Sequence, residues 1–226
     1  MPKNIRHVAV IMDGNGRWAT KQGAMRIFGH RRGVQAVRDI TEGCAELGVD
    51  HLTLYAFSTE NWKRPKSEIN FLFTLLDTFI DQKIDQFNKQ NIKLKIIGNI
   101  SILNNKLKKK LKKSENLTKR NRRLQVNLAL NYGSKSELIY AFKKVNKNKQ
   151  NINVKNIENN LYTSKIPDPD ILIRTGNTNR LSNFLLWQMA YSEIFFEKKL
   201  WPDFKENDYN KILKKFKKIK RNYGNI

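Results

Sequence analysis

Apolar residues recur along this chain in two rhythms. Short runs rich in β-branched residues predict strands buried on both faces: the run that opens at His7, then Leu52–Phe57, Ile92–Ile97, Leu124–Leu130, Ile171–Ile173 and Ile194–Phe196. Between them the apolar positions fall at helical spacing. Thr20–Arg32 predicts a short helix and a second turn punctuated by glycine. Val34, Val37, Ile40, Cys44 and Leu47 predict a helix stopped by Gly48. Leu103, Leu107 and Leu111 form the seam of a basic helix running through Asn116. Ser134, with Glu137 three residues on, predicts a capping box and a helix to about Val145. A polar loop, Lys147–Asn153, precedes a short helix over Val154–Leu161, and Tyr209–Tyr223 predicts a basic amphipathic helix at the end. Strands alternating with helices mean a mostly parallel central sheet covered on both faces, in a single α/β domain over residues 1–226.

One predicted helix breaks the one-sided rule. It starts at Ser67-Glu68 and carries Ile69, Phe71, Leu72, Phe73, Leu75, Leu76, Phe79 and Ile80, apolar on more than one face. Either it is sandwiched in the core, or one face lines an apolar cavity. Helix Ile69–Phe87 and Leu124 are the candidate lining.

The first strand ends abruptly in Asp13-Gly14-Asn15-Gly16-Arg17-Trp18-Ala19. A tight turn into a helix start offers outward backbone N–H groups, a place for a phosphate. A carboxylate in such a cradle repels its ligand unless a cation lies between them, so Asp13 points to a divalent metal, Mg²⁺, shared with phosphate oxygens. Arg17 adds a fixed positive charge. Two other readings are a plain corner with Asp13 as a cap and a dinucleotide fingerprint, Gly14-x-Gly16-x-x-Ala19. The fingerprint expects an acid at the end of the next strand, where this chain has Ser58-Thr59-Glu60-Asn61-Trp62. A second anion-binding constellation follows the fifth strand: Arg174, Gly176, Arg180 and Ser182, with Arg26, His30 and Arg64 as candidates to converge on the first. Two polyphosphate sites and an unusually apolar helix imply a substrate with a charged head and a greasy tail.

Composition changes this picture little. The chain carries 44 basic against 20 acidic residues, a net +24. The lysines cluster at Lys106–Lys113, Lys143–Lys149 and Lys211–Lys220 among Asn and Ile, as a compositional bias would place them. No nucleic-acid motif accompanies them, so they read as solvated helix faces, with attraction to anionic lipid or polyphosphate as the alternative. The rival basic nucleic-acid binder would lose affinity steeply with salt and be indifferent to Asp13. No apolar run is long enough to span a membrane. Met1–Arg6 lead into the first strand without signal-peptide design. The lone Cys44 fits a reducing cytoplasm, and His7, His30 and His51 form no zinc spacing with it.

Taken in order, several blocks resemble the cis-prenyltransferases, the undecaprenyl diphosphate synthase family. They are His7–Ala19, Gly29-His30 with Gly33, Tyr55–Pro65, Asn131–Gly133, Asp168–Gly176, Arg180–Gln188, Tyr191–Phe196 and Trp201–Phe204. The resemblance implies a parallel α/β sheet with helices enclosing a hydrophobic tunnel, in a cytoplasmic homodimer. The implied reaction condenses isopentenyl diphosphate units onto an allylic diphosphate, farnesyl diphosphate, with cis double bonds. Its long-chain product is undecaprenyl diphosphate, a lipid carrier for cell-wall glycans, and a transient membrane-surface contact would serve product release. By the same resemblance Asp13 holds Mg²⁺ and is catalytic, and Glu193 is a second metal ligand reaching across to the first site. Gly14, Asn15, Gly16, Arg17, Trp18, Arg26 and His30 bind the allylic diphosphate. Ser58, Thr59, Glu60, Trp62 and Arg64 add substrate contacts, and Arg174, Arg180, Leu181 and Ser182 bind isopentenyl diphosphate. Asn61 falls on the proton acceptor; a neutral amide is a very poor base, so diphosphate oxygen or a held water would take the proton with Asn61 positioning it.

One block departs from the pattern. Between the two arginines of the second site the family usually carries Gly-Gly-Glu, and this chain has Gly176-Asn177-Thr178, then Asn179. Both arginines and Ser182 remain, so activity is expected to survive; a homologue that has lost catalysis is the alternative.

Overall fold

The computed structural model describes residues 5–221. Met1–Asn4, and Tyr223 of the predicted last helix, lie outside the described residues. Six strands form one sheet in the order β3-β4-β2-β1-β5-β6, every neighbouring pair parallel. They are β1 (His7–Ile11), β2 (His51–Ser58), β3 (Ile92–Ile97), β4 (Leu124–Tyr132), β5 (Ile171–Arg174) and β6 (Glu193–Phe196). All the predicted strands are present, and β1 and β5 are buried at every residue, as two covered faces require. The helices are α1 (Asn15–Lys21), α2 (Arg26–Glu46), α3 (Lys66–Lys89), α4 (Asn105–Thr118), α5 (Ser134–Lys147), α6 (Val154–Glu158) and α7 (Glu206–Lys218). Apolar side chains of α2, α3, α4 and α7 join the main core on one face. Phe184, Leu185 and Met189 pack with Ala9 and Leu172 in a second cluster, and α5 and α6 share a third.

Three local expectations change. Residues 26–33 are not a turn: α2 begins at Arg26 and runs through Gly29 and Gly33. Those glycines cost the helix entropy, yet a side chain at either would collide with Asn15, at its carbonyl or its amide oxygen. They let α1 lie against α2, which fixes the turn containing Asp13. Ser134 is the first residue of α5 rather than its cap, and Gly133 takes the cap position without a side-chain bond. Glu137 instead accepts from Tyr132 Oη and Gln188 Nε2 inside the core. The last helix starts at Glu206 and stops at Lys218, three residues earlier at its start than its apolar seam indicated.

The edge strand β3 has its outward amides covered. Leu94 N–H donates to Thr118 Oγ1 at 3.0 Å and Ile96 N–H to Glu115 Oε1 at 2.9 Å, both acceptors on α4. Such cover removes the pairing template that a bare edge presents.

Candidate active site

All strands point the same way, so their carboxyl ends form one rim, where open α/β sheets gather ligand-binding loops. Asp13 sits on that rim, two residues beyond β1. Its backbone is clamped: its N–H donates to Thr175 Oγ1 at 3.1 Å, and its carbonyl accepts from Thr175 Oγ1 at 2.8 Å and from Trp201 N–H at 3.0 Å. Its carboxylate lies between two guanidinium groups, with Arg17 Nη2 at 3.1 Å from Oδ1 and Arg174 Nη2 at 2.8 Å from Oδ2. Burial opposes the charge, but the Arg174 hydrogen bond and the positive charges of Arg17 and Arg174 outweigh it and hold the carboxyl below its ordinary range.

Arg174 is buried and reaches both sites. Besides Asp13, its Nη1 donates to Ser182 Oγ at 2.7 Å and to the carbonyl of Arg180. Its Nε is buried without a partner, as is Asn15 Oδ1. Gly176 follows at φ 92°, where a side chain would meet Arg17 Nη2 at 2.6 Å, so only glycine lets this loop close over the Asp13–Arg17 pair. The departure at 177–178 fits the loop's conformation. Asn177 occupies a left-handed position, φ 53°, which Asn tolerates almost as glycine does, and its N–H donates to the Glu197 carbonyl. Thr178 Oγ1 bonds the Gly176 carbonyl. The turn closes on itself with no acid.

A second charge cluster forms around Glu68 in the first turn of α3, a residue the sequence reading passed over. Its buried carboxylate draws in Arg64 (Nη1 to Oε1, 3.0 Å), Arg26 (Nε to Oε2, 3.5 Å) and His30 (Nε2 to Oε1, 3.6 Å). The separation at His30 exceeds a hydrogen bond, and its Nε2 is buried unpartnered. Burial, then the Arg64 charge, push the imidazole down to about 4 against the pull of Glu68, so it is neutral at neutral pH. The convergence of Arg26, His30 and Arg64 expected from sequence is thus present, and Glu68 is its centre. The available signal was an acid four residues after Arg64 at the head of an apolar helix.

Below this polar rim lies a cavity of about 630 Å³. Leu72, Phe73, Leu75, Leu76 and Phe79 of α3 line it, with Val34 and Val37 of α2 and the apolar side chains of β2 and β4 opposite. The cavity reading of the long helix therefore holds over the sandwiched one. From β4 the lining is Val126, Leu128 and Leu130; Leu124, predicted to contribute, is buried outside it, as are Ile69 and Ile80 in the core. What these residues bound is an apolar cavity; the enclosed tunnel of the resemblance goes beyond it.

The cavity wall brings together Asp13, Asn15, His30, Ser58, Glu60, Asn61, Arg64, Arg174, Arg180 and Ser182. A bulge in β2 between Tyr55 and Ser58 turns that strand's end into the 3-10 segment Thr59–Lys63. There Asn61 Oδ1 accepts the Ser58 N–H at 3.1 Å, so its one acceptor atom is engaged in holding the turn. Thr59 bonds Glu60. Gly14 and Gly16 shape the α1 turn, where Arg26 covers Gly16. Three expected contacts stand elsewhere. Trp18 is pinned to Asp203 (2.8 Å), Trp62 donates to Asn131 Oδ1 (2.8 Å) against the Phe57 ring, and Leu181 packs on the second core cluster.

Glu193 is not brought to Asp13 within one chain. It is the first residue of β6, in register with Ile171, which pairs with Val8. That is the opposite end of the sheet, about 10 Å back along the strands from Ile11. Among the described residues no three acids, histidines or cysteines gather as a metal cluster. Of the carboxylates near the rim, Glu60 is bonded to Asn183 and Glu68 is held by Arg26 and Arg64, which leaves Asp13 as the one at the phosphate turn, beside open anion-binding donors. That donor set suits Mg²⁺, which keeps waters and takes one or two carboxylates together with substrate phosphates.

Comparison with known proteins follows the same outline. A family model described as "Putative undecaprenyl diphosphate synthase" matches residues 11–224. An isoprenyl transferase of Helicobacter hepaticus is 45% identical over 235 residues, covering 100% of this chain and 99% of that protein. A ditrans,polycis-undecaprenyl-diphosphate synthase ((2E,6E)-farnesyl-diphosphate specific) of Haemophilus influenzae is 44% identical, over 97% of this chain and 95% of that one. Among solved structures, a probable undecaprenyl diphosphate synthase of Campylobacter jejuni superposes with a TM-score of 0.85 at 40% identity, covering 98% and 99% of the two chains. Lavandulyl diphosphate synthase of Lavandula x intermedia, in complex with dimethylallyl diphosphate, superposes at 0.94 with 32% identity over 98% of each.

Proposed function

We propose that this chain, which belongs to the undecaprenyl diphosphate synthase family of prenyltransferases, condenses isopentenyl diphosphate units onto farnesyl diphosphate with cis geometry. Undecaprenyl diphosphate, the lipid carrier for cell-wall glycans, is the product. The observation that carries this reading is the junction of an arginine-rich rim to a long apolar cavity, which seats a diphosphate head and an isoprenoid tail together.

Arg17, Arg26 and Arg64 grip the allylic diphosphate, and His30, neutral at the same wall, donates or accepts a hydrogen bond without adding charge. When the allylic C–O bond breaks, the electron pair leaves with the diphosphate and positive charge remains on carbon. The guanidinium groups stabilise the leaving anion, and the apolar walls keep water from the cation. Arg180 and Ser182, with Arg174 behind them, hold isopentenyl diphosphate so that its double bond faces that carbon. The new C–C bond forms, and a proton leaves to diphosphate oxygen or a water positioned by Asn61. Mg²⁺, held by Asp13, would neutralise charge on the diphosphate.

The active unit in this reading is one catalytic domain, cytoplasmic and paired in a homodimer, since only a second copy can bring Glu193 to this rim. Nucleic acid is no partner. Among the described residues no helix is long and apolar enough to cross a membrane, and contact with a membrane surface is transient, at product release. The test is incubation with farnesyl diphosphate, labelled isopentenyl diphosphate and Mg²⁺, with and without chelator. Label passing into organic solvent only with metal supports the assignment; label remaining in water in both arms overturns it.

A further inference from the structure

The second site rests on a loop, 180–186, that makes an improbable sequence of turns. Ser182, Asn183 and Leu185 all have positive φ, at 49°, 61° and 45°. Asn183 tolerates this conformation as Asn177 does, but Ser182 and Leu185 are strained in it and must be held by their surroundings. Arg174 holds the loop from inside, through the Arg180 carbonyl and Ser182 Oγ. From outside, Tyr55 Oη donates to the Ser182 carbonyl at 3.3 Å and Asn183 makes three bonds, two of them through its side chain. Asn183 Oδ1 accepts the Lys135 N–H at 2.9 Å, and its backbone carbonyl accepts the Ser134 N–H at 2.7 Å. These are the first two amides of α5, whose own cap residue, Gly133, offers none. Asn183 Nδ2 donates to Glu60 Oε1 at 2.8 Å, on the 3-10 segment across the cavity mouth. Gly133 leaves room for this arrangement, since a side chain there would meet Asn183 Nδ2 at 2.7 Å. Ser134 Oγ returns a bond from the Leu186 N–H at 3.1 Å.

We propose that Asn183 is a positioning residue for the isopentenyl diphosphate site: it caps α5 from a distant loop and ties that loop to Glu60, fixing where Arg180 and Ser182 point. Both Glu60 and Asn183 face the cavity, so this tie joins the lips of the two substrate sites. Burial favours the neutral form of Glu60, and the Asn183 hydrogen bond is the first of the contacts that keep it charged, so the bond is made to a carboxylate and carries the strength of a charge-assisted pair. An aspartate at 183 would keep the acceptor for Lys135 and lose the donor to Glu60, placing two carboxylates face to face.

The proposal rests on the reaction assigned above and is tested with four proteins: wild type, Asn183→Asp, Glu60→Gln, and the two substitutions combined. In Asn183→Asp the KM for isopentenyl diphosphate should rise about tenfold or more, with the KM for farnesyl diphosphate within about twofold of wild type. The double variant restores a donor–acceptor pair with the roles reversed, and should bring the KM back to within about threefold of that of Glu60→Gln alone, which reads any direct contact of Glu60 with substrate. A general loss of structure would move both KM values and the melting temperature and would not be rescued. An unchanged isopentenyl diphosphate KM in Asn183→Asp, or no recovery in the double variant, overturns the proposal. If the wild type consumes no isopentenyl diphosphate, the assigned reaction fails instead. The positioning role is then read from calorimetric affinity for inorganic pyrophosphate, which must fall in Asn183→Asp and return in the double variant.

Discussion

A buried histidine stands at the amino end of the sheet and a partly buried one, on α2, at the opposite end beside the rim, and the two are held differently. His7, at the start of β1, donates from Nδ1 to the Pro167 carbonyl at 2.6 Å and accepts at Nε2 from Thr53 Oγ1 at 2.7 Å. Thr53 accepts in turn from Asn127 Nδ2 at 3.0 Å, and Asn127 from Gln125. The network closes on itself. His30, at the other end, leaves Nε2 unpartnered, and Asn15 Oδ1 and Arg174 Nε of the same cavity wall are in the same condition. Burial lowers both imidazoles to about 4, so both are neutral at neutral pH. His7 is fully buried and bonded at both ring nitrogens, whereas His30 is partly buried and faces the cavity with Nε2 free, and that difference separates a network that stabilises the fold from one open to a ligand.

The sharpest way to break this contrast is at the open end. Asp13→Asn keeps an acceptor for Arg174 but removes the charge. Turnover should fall about a thousandfold or more while thermal melting stays close to wild type; retention of most activity would make Asp13 a mere corner residue. Acid probes both ends together. Each histidine binds its proton more weakly in the folded chain, at about 4, than in the unfolded one, at 6.5. Their contribution is therefore complete above pH 6.5 and is lost as pH falls toward 4, by about 3 kcal/mol apiece. Urea unfolding at pH 7.5 and 5 should show about 2 kcal/mol of that fall per histidine, and a flat profile would refute neutral burial. His7→Ala isolates the closed end, with an expected loss of about 2–3 kcal/mol from the freed carbonyl and lost packing. Its kcat should hold within about twofold; a large loss of activity would mean the two ends are coupled. The smallest effect belongs between them. Phe79 and Phe87 meet edge to face, with centroids 6.3 Å apart, and both line the cavity. Phe79→Ala should shift products toward longer chains on reversed-phase chromatography with total incorporation little changed, and an identical product ladder would place the floor elsewhere.

The apolar rhythm carried most of the fold because fully buried strands leave few alternatives to a parallel sheet. It misread residues 26–33, where glycine signified close approach of α1 rather than a turn, a difference set by a partner ten or more residues away. Asp13, Arg174 and Ser182 were legible as members of chemical motifs. Their joining through one arginine was not, because it spans 161 residues of sequence. Glu68, Thr175 and Asn183 share that invisibility: each matters through bonds made across the fold, and none is chemically unusual where it stands. Glu193 shows the converse, a residue placed by resemblance whose strand register sets it far from its supposed companion within one chain.

The cover that α4 lays over β3 also governs how copies of this protein can join through their sheets. With Thr118 and Glu115 occupying that flank, the sheet's other border among the described residues is β6, which bears exposed Ile194 and Phe196. A sheet with one sealed border cannot add copies edge to edge without end, so β3 offers no template from which a fibre could propagate.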